Sequence, residues 1–205
     1  MVEDRLVQIF NRQRELMEKY HPIEKSNGLL QTEDVPVDLD SRFGQARIKD
    51  FAWRFIEEIG EALYESGIFG ITPEYKEELA DALHFLTELT ILSGYEPADL
   101  FDGYLFDDPM EEIFGSRFRM VDHSKLDNSL GQVVKAIAMM CNLLKNRPWK
   151  QSHTITPREE YLSRLREVWY QFGILTNRSG ISTQELYELY FGKAEINKQR
   201  QDTGY

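Results

Sequence analysis

Residues 48–66 read IKDFAWRFIEEIGEALYES, and residues 72–93 read TPEYKEELADALHFLTELTILS. In the first stretch Ile48, Phe51, Ala52, Phe55, Ile59, Ala62 and Leu63 recur at the spacing of one helical face. The helix they define runs from about Gln45 to Ser66, and Gly67 and Gly70 break it. In the second stretch Thr72 and Pro73 suit a cap and a first-turn position. The helix they open runs to about Ser93 and stops near Gly94. It is apolar around much of its circumference, through Leu79, Leu83, Phe85, Leu86, Leu89 and Leu92. A helix with so little polar surface belongs at the centre of a bundle.

Four carboxylates interrupt these two helices in a pattern. Glu58 and Glu61 lie on the first, Glu78 and Asp81 on the second, each pair at i, i+3 spacing. Both members of such a pair leave the same face. On a helical wheel Glu58 sits beside Phe51, Phe55 and Ala62, at the edge of the buried stripe, and Glu78 falls among Tyr75, Leu79 and Ala82, inside it. Asp81 lies next to Phe85 on the flank. An ionised carboxylate taken from water costs several kcal/mol, and neighbours of like charge add repulsion. A hard divalent cation removes both penalties, and carboxylate oxygens are the ligands Mg²⁺ prefers. The competing reading is a solvated acidic face, to which Glu57, Glu65, Glu74 and Glu77 belong. Spacing alone leaves the two readings open.

The rest of the chain reads as helices as well. From Asp4 to Lys19 the stripe Leu6, Ile9, Phe10, Leu16 and Met17 includes one amide, Gln13. Residues Tyr20 to Arg42, with Pro22, Gly28 and Pro36, read as a long loop. Short helices and loops are expected from Glu96 to Lys125, then a helix over about Asn128–Asn146 with Leu130, Val133, Val134, Ile137, Cys141 and Leu144 inward. Thr156, Pro157 and Glu159 form a capping box that opens a helix carrying Tyr161, Leu165, Val168, Trp169 and Phe172. Ser182 and Glu185 form another and open the last helix. No segment alternates with the period of a strand. The expected fold is all-α, a helical bundle with a four-helix catalytic core and inserted helices.

Composition narrows the partners. The chain has 205 residues, is 41% hydrophobic and 29% charged, and carries a net charge of −11. That sign disfavours a nucleic-acid partner. No apolar run approaches a membrane span, no signal peptide is evident, and the one cysteine, Cys141, fits a reducing cytoplasm. One domain over residues 1–205 is expected, with a variable helical part at roughly 95–181.

The run Glu58-Ile-Gly-Glu61, followed by Glu78-Leu-Ala-Asp81-Ala-Leu-His-Phe, resembles the all-α nucleoside triphosphate pyrophosphatases, which include the MazG-type enzymes and the dimeric dUTPases. The resemblance implies that Glu58, Glu61, Glu78 and Asp81 bind Mg²⁺, with Mn²⁺ as a substitute, and that the protein is a homodimer. His84 points away from Tyr75 and Leu79 on the wheel, so it reads first as a packing or interface histidine and second as a ligand-binding one.

The last helix strengthens the resemblance. Its apolar stripe, Leu186, Leu189 and Tyr190, continues as Lys193, Asn197 and Arg200. A face that turns cationic suits a phosphate tail, although charge complementing the helix C-terminus explains a single cation equally well. The ending Lys193-x-x-x-Asn197-x-x-Arg200-Gln-Asp-x-Gly204-Tyr205 resembles the terminal motif of dimeric dUTPases and phage-type dCTP/dUTP pyrophosphatases. That implies nucleotide-binding roles for Lys193, Asn197, Arg200 and Tyr205. Gln13 reads equally as a core amide or a base-reading one, and Gln-x-x-Leu resembles the family's base-contacting segment. Met17 stands where many dimeric dUTPases have asparagine, which weakens strict uracil specificity. Lys145 and Lys150, beside Trp149, read as basic loop residues or as phosphate contacts from a second subunit.

The expected reaction is hydrolysis of a pyrimidine deoxynucleoside triphosphate, dUTP or dCTP or both, to its monophosphate and pyrophosphate. Glu58 or Glu61 would take the proton of the attacking water. The rivals are a house-cleaning pyrophosphatase for another nucleotide and a non-catalytic helical interaction protein.

Overall fold

A computed structural model describes residues 4–28, 32–101, 107–115 and 126–202. Among them are α1 (Arg5–Ser26), α2 (Arg42–Phe69), α3 (Pro73–Leu92), α4 (Pro109–Phe114), α5 (Leu126–Asn142), α6 (Arg158–Arg178) and α7 (Thr183–Asp202). A 3₁₀ turn covers Pro97–Phe101, and no strand occurs among the described residues. The all-α expectation is met. No helix among these residues is long and apolar enough to cross a membrane.

Helix α3 is the hub, packed against α1, α2, α6 and α7. Its sequence explains why. Leu79, Leu83, Leu86, Leu89 and Leu92 are fully buried on different sides of one helix. The three-residue turn after α2 folds α3 back as an antiparallel neighbour. Trp169 of α6 closes the core from the far side. Its indole stacks on Phe10 of α1 at 6.1 Å between ring centroids, and its Nε1 donates to Thr90 Oγ1 at 3.0 Å. That bond satisfies the one polar atom of the largest buried side chain. Residues from the 95–181 stretch, Tyr161, Leu165 and Phe172 among them, share one core with α1, α2 and α3.

Several boundaries differ from the sequence reading. Helix α1 does not stop at Lys19 but continues through Pro22 to Ser26. Proline removes one backbone donor without preventing the following turn from forming. Here the extra turns are fastened from outside, because Arg47 of α2 contacts His21 Nε2 at 2.9 Å and Glu24 at 3.1 Å. Gly67 does not end α2, which runs on to Phe69 and stops at Gly70 in a left-handed conformation with φ 79°. Leu63 and Val134 are exposed, at 41% and 39%, on the outer edges of their stripes.

The Thr156 capping box does not form. Pro157 occupies the cap of α6 with no side-chain bond, while Thr156 donates to Leu39 O at 2.6 Å. The threonine is drawn inward by a network that ties the connector after α5 to the approach to α2. Asn146 anchors it, donating to Asp40 O at 2.7 Å and Thr154 O at 2.8 Å and accepting from Thr154 N at 2.7 Å. The second box forms in part: Ser182 Oγ accepts from Glu185 N at 3.1 Å, but the Glu185 carboxylate turns to Lys76 at 2.6 Å.

The start of α2 generates a stability prediction. A Cβ on Gly44 would lie 2.1 Å from the Asp38 carbonyl oxygen, whereas one on Gly131, on the exposed side of α5, would meet nothing within 4 Å. Gly44→Ala is expected to destabilise by about 1–3 kcal/mol through overpacking. Gly131→Ala is expected to stabilise by about 0.5–1 kcal/mol, because alanine is the better helix former. Urea unfolding of both variants checks the opposite signs.

Candidate active site

The short turn between α2 and α3 brings their acidic faces together. One carboxylate oxygen each from Glu58, Glu78 and Asp81 lies within 4.8 Å of the other two. All three side chains are half-buried, where the wheel had placed Glu78 alone inside. Glu61 does not join them. It is exposed, one turn farther along α2, yet its charge still acts on Glu58 and Glu78. The expected set of four is therefore three converging groups and a fourth at the margin.

The electrostatics of the three follow from burial and mutual repulsion. The Glu58 carboxyl is pushed up to about 8, first by burial, then by the Asp81 charge and a hydrogen bond with Glu78. Burial also raises Glu78 and Asp81, and Lys193 works against the rise in both. Lys193 was expected on phosphates. In the structure its Nζ lies 2.8 Å from Asp81 and 3.1 Å from Glu77. It serves as an internal counter-ion to the acidic face. Three convergent hard oxygens, short of positive charge, fit a Mg²⁺ or Mn²⁺ ion.

The cluster opens into a cavity of about 440 Å³. Glu58 and Asp81 line it together with Asn197 and Arg200 of α7, and the Arg200 charge acts on Asp81. Tyr20 and Glu24, on the turns of α1 that the sequence reading had assigned to a loop, form part of the wall. Phe51 and Phe85 line it too, their rings 6.3 Å apart, and the Arg54 guanidinium lies 4.7 Å over the Phe51 ring.

The floor is a buried polar network. Gln13 is 2% exposed. Its Oε1 accepts from Tyr190 Oη at 2.8 Å and faces His84 Nδ1 at 2.9 Å, while its Nε2 donates to Glu88 Oε2 at 2.8 Å. His84 stacks on the Tyr190 ring at 3.8 Å and sets Nε2 3.1 Å from the Tyr190 carbonyl. Burial pulls its pKa down to about 3, and a neutral ring has one N–H for the two oxygens that its nitrogens face. Gln13 is thus a satisfied core amide that also lines the cavity. His84 is a packing histidine at the same floor.

Two other expectations fare differently. Lys145 and Lys150 are not brought to the cavity. They sit at the N-terminal end of α2, where Arg42 donates to Lys150 O at 2.7 Å. Arg42 and Glu58 are separated by sixteen residues of helix, about 24 Å. Tyr205 lies outside the described residues.

The sequence reading missed Tyr20, Glu24, Arg54 and Glu88. For Glu88 a signal existed, since Asp81, His84, Phe85 and Glu88 follow i, i+3, i+4, i+7 spacing and so share one face of α3. Tyr20 and Glu24 were hidden by Pro22.

A model of the family described as dUTPase matches residues 71–205. Glu78, Asp81 and all of α7 fall inside the match, and Glu58 and Glu61 precede it. No curated protein and no solved structure matches the chain. The matched region spans well over half of the sequence and carries one half of the acidic cluster together with the polar helix facing it, which places the chain in the dUTPase family of all-α nucleoside triphosphate pyrophosphatases.

Proposed function

We propose that this protein hydrolyses a pyrimidine deoxynucleoside triphosphate, dUTP or dCTP or both, to the monophosphate and pyrophosphate, with Mg²⁺ held by Glu58, Glu78 and Asp81. One observation carries the reading. A convergent carboxylate cluster, the Asn197 and Arg200 side chains of α7 and a polar floor border one cavity large enough for a nucleoside. Family membership supports nucleotide pyrophosphatase chemistry in general.

When bound, the metal neutralises phosphate oxygens and lowers the pKa of a coordinated water. The chain supplies the rest. Glu58 is hydrogen-bonded to Glu78 within the cluster, whereas Glu61 lies close by and outside it. Glu61 is therefore the carboxylate assigned to accept the proton of the attacking water. Arg200 faces the cavity and grips the phosphates; Lys193, paired with Asp81 on the same acidic face, would join it on leaving that carboxylate. Asn197 contacts the sugar, and the resemblance assigns Tyr205 to the same nucleotide. Phe85 and Phe51 offer apolar faces beside the base, and Gln13 lies beneath it.

A homodimer is part of the same reading. Trp53 and Tyr64 are 59% and 66% exposed on α2, next to exposed Leu63. An apolar edge of that kind is suited to burial against a second copy. Lys145 and Lys150 reach a nucleotide only across such an interface.

Calorimetric titration tests the metal assignment. Wild-type protein is expected to bind Mg²⁺, and Glu58→Gln to bind it at least about tenfold more weakly, with kcat reduced about a hundredfold or more. Equal binding by both proteins overturns the proposal.

The same variant has a separate effect without metal. The folded-state pKa of Glu58 lies above its unfolded value, so the folded state holds the proton longer. Stability is then lost as pH rises from about 4.5 to about 8, and none of that loss occurs with glutamine. Metal-free Glu58→Gln is expected to melt about 2–4 °C higher than wild type at pH 8.5, with the gap closing at pH 5, by differential scanning calorimetry.

A further inference from the structure

Glu88 is not accounted for by the pyrophosphatase chemistry. It is 4% exposed, stands on α3 and lines the cavity. Among the described residues Gln13 Nε2 is the one hydrogen-bond donor to it, and that bond engages Oε2. Its other oxygen, Oε1, makes no hydrogen bond among these residues. Among the described residues the side-chain polar atom sealed from solvent without a partner is Arg47 Nε, so Oε1 of Glu88 is open to the cavity rather than shut away from it. Arg47 and Arg54 act on it through their charge but do not bond to it; Arg47 is held by Glu24 at 3.1 Å and Arg54 by Asp50 at 2.9 Å. Burial lifts Glu88 to about 7, with Glu24 adding to the rise and Gln13, Arg47 and Arg54 opposing it. The group is thus neither locked in an ion pair nor closed off from the cavity.

Its position gives the unfilled acceptor a meaning. Glu88 follows Asp81 by seven residues, about 10.5 Å of helix, along the same face of α3. With phosphates at the Asp81 end, the far end of the cavity is where the base edge arrives. Gln13 cannot read that edge with its carbonyl, because Oε1 is engaged by Tyr190 and His84. Its amide instead holds Glu88 in place. We infer that Glu88 is a specificity-determining residue of the nucleotide site, accepting a hydrogen bond from the exocyclic amine of a cytosine base and so favouring dCTP over dUTP.

The choice of base follows from the edges. Cytosine presents its 4-amino group as a donor at the periphery of the ring, where uracil carries a carbonyl oxygen. Uracil has a ring N–H, but it lies between two carbonyl oxygens, and a carboxylate approaching it is repelled from both sides. Sites built to bond a particular donor discriminate strongly against an analogue lacking it, because their own buried group is then left unmet.

This inference rests on the pyrimidine nucleotide reading above, and the experiment separates the two. Steady-state kcat/KM is measured for dCTP and dUTP, and the affinities of dCMP and dUMP by calorimetry, with wild type and Glu88→Gln. Wild type is expected to favour the cytosine nucleotides by about tenfold or more. Glutamine can present either an acceptor or a donor, so the dCTP-to-dUTP ratio is expected to fall at least about tenfold in Glu88→Gln. A deoxynucleotide of 2-pyrimidinone, which lacks the amino group, is expected to bind wild type about tenfold more weakly than its cytosine counterpart. That arm needs no variant and stands even if the substitution disturbs folding.

An unchanged ratio in a folded Glu88→Gln, a wild-type preference for dUTP, or equal affinity for the 2-pyrimidinone compound overturns the role of Glu88 and leaves the pyrophosphatase reading intact. If wild type neither binds nor cleaves any pyrimidine nucleotide, both readings fall together.

Discussion

The structure depends on holding three carboxyl groups where their charges would repel. At 4.8 Å two unit charges interact by roughly 3 kcal/mol at an effective dielectric near 20, before solvent screening of these half-exposed groups. Nothing in the backbone of α2 or α3 favours that arrangement. It persists because the apolar side chains that flank the carboxylates on the same helices are committed to the core. Phe55, Ile59, Tyr75, Leu79 and Leu83 are buried on the two helices that carry the cluster. Each fully buried side chain of this size contributes about 1.5–3 kcal/mol. Turning either helix to separate the carboxylates would expose several of them. The repulsion is therefore overridden by packing, which leaves the site with a cluster of acidic groups.

Much of this was legible in the sequence, and for identifiable reasons. A stripe of large apolar residues at helical spacing has one physical meaning, so the cores of α1, α2, α3 and α6 could be read directly. Gln13 stood out because an amide on such a stripe needs partners, and His84, Tyr190 and Glu88 supply them. The illegible parts share a different cause. Whether Pro22 ends a helix depends on Arg47, twenty-five residues away, which holds His21 and Glu24 in further turns. Whether Thr156 caps α6 depends on Leu39, which takes its hydroxyl instead. Propensity rules describe a segment by itself, and both residues answer to a distant one.

Glu61 and Lys193 show the same limit at the site. Spacing made Glu61 equivalent to Glu58, but the two differ in depth once α3 crosses α2, and only Glu58 faces the oxygens of Glu78 and Asp81. Lys193 carried a cationic label suited to phosphate, yet without a nucleotide the nearest negative charges belong to the protein itself. A residue's chemistry can be read from its type; the partner it meets first is set by tertiary distance.

The elements around the cavity are fastened in two distinct ways, and the difference bears on how a substrate enters. Asp81, His84, Phe85 and Glu88 sit on α3, whose remaining faces are locked among leucines, so their spacing along the cavity is fixed before any ligand arrives. The walls contributed by the end of α1 and by α7 are held more by polar bonds. Glu24 is tied to Arg47, Arg12 to Glu195 at 3.0 Å, and Lys193 to Asp81. Ion pairs at partly exposed positions weaken with salt and are readily exchanged for other charges, whereas buried leucines are not. On the proposed function, a triphosphate and its metal would bring the very charges that compete for Lys193 and Asp81. The cavity thus combines a rigid row of side chains on α3 with walls whose fastenings respond to charge.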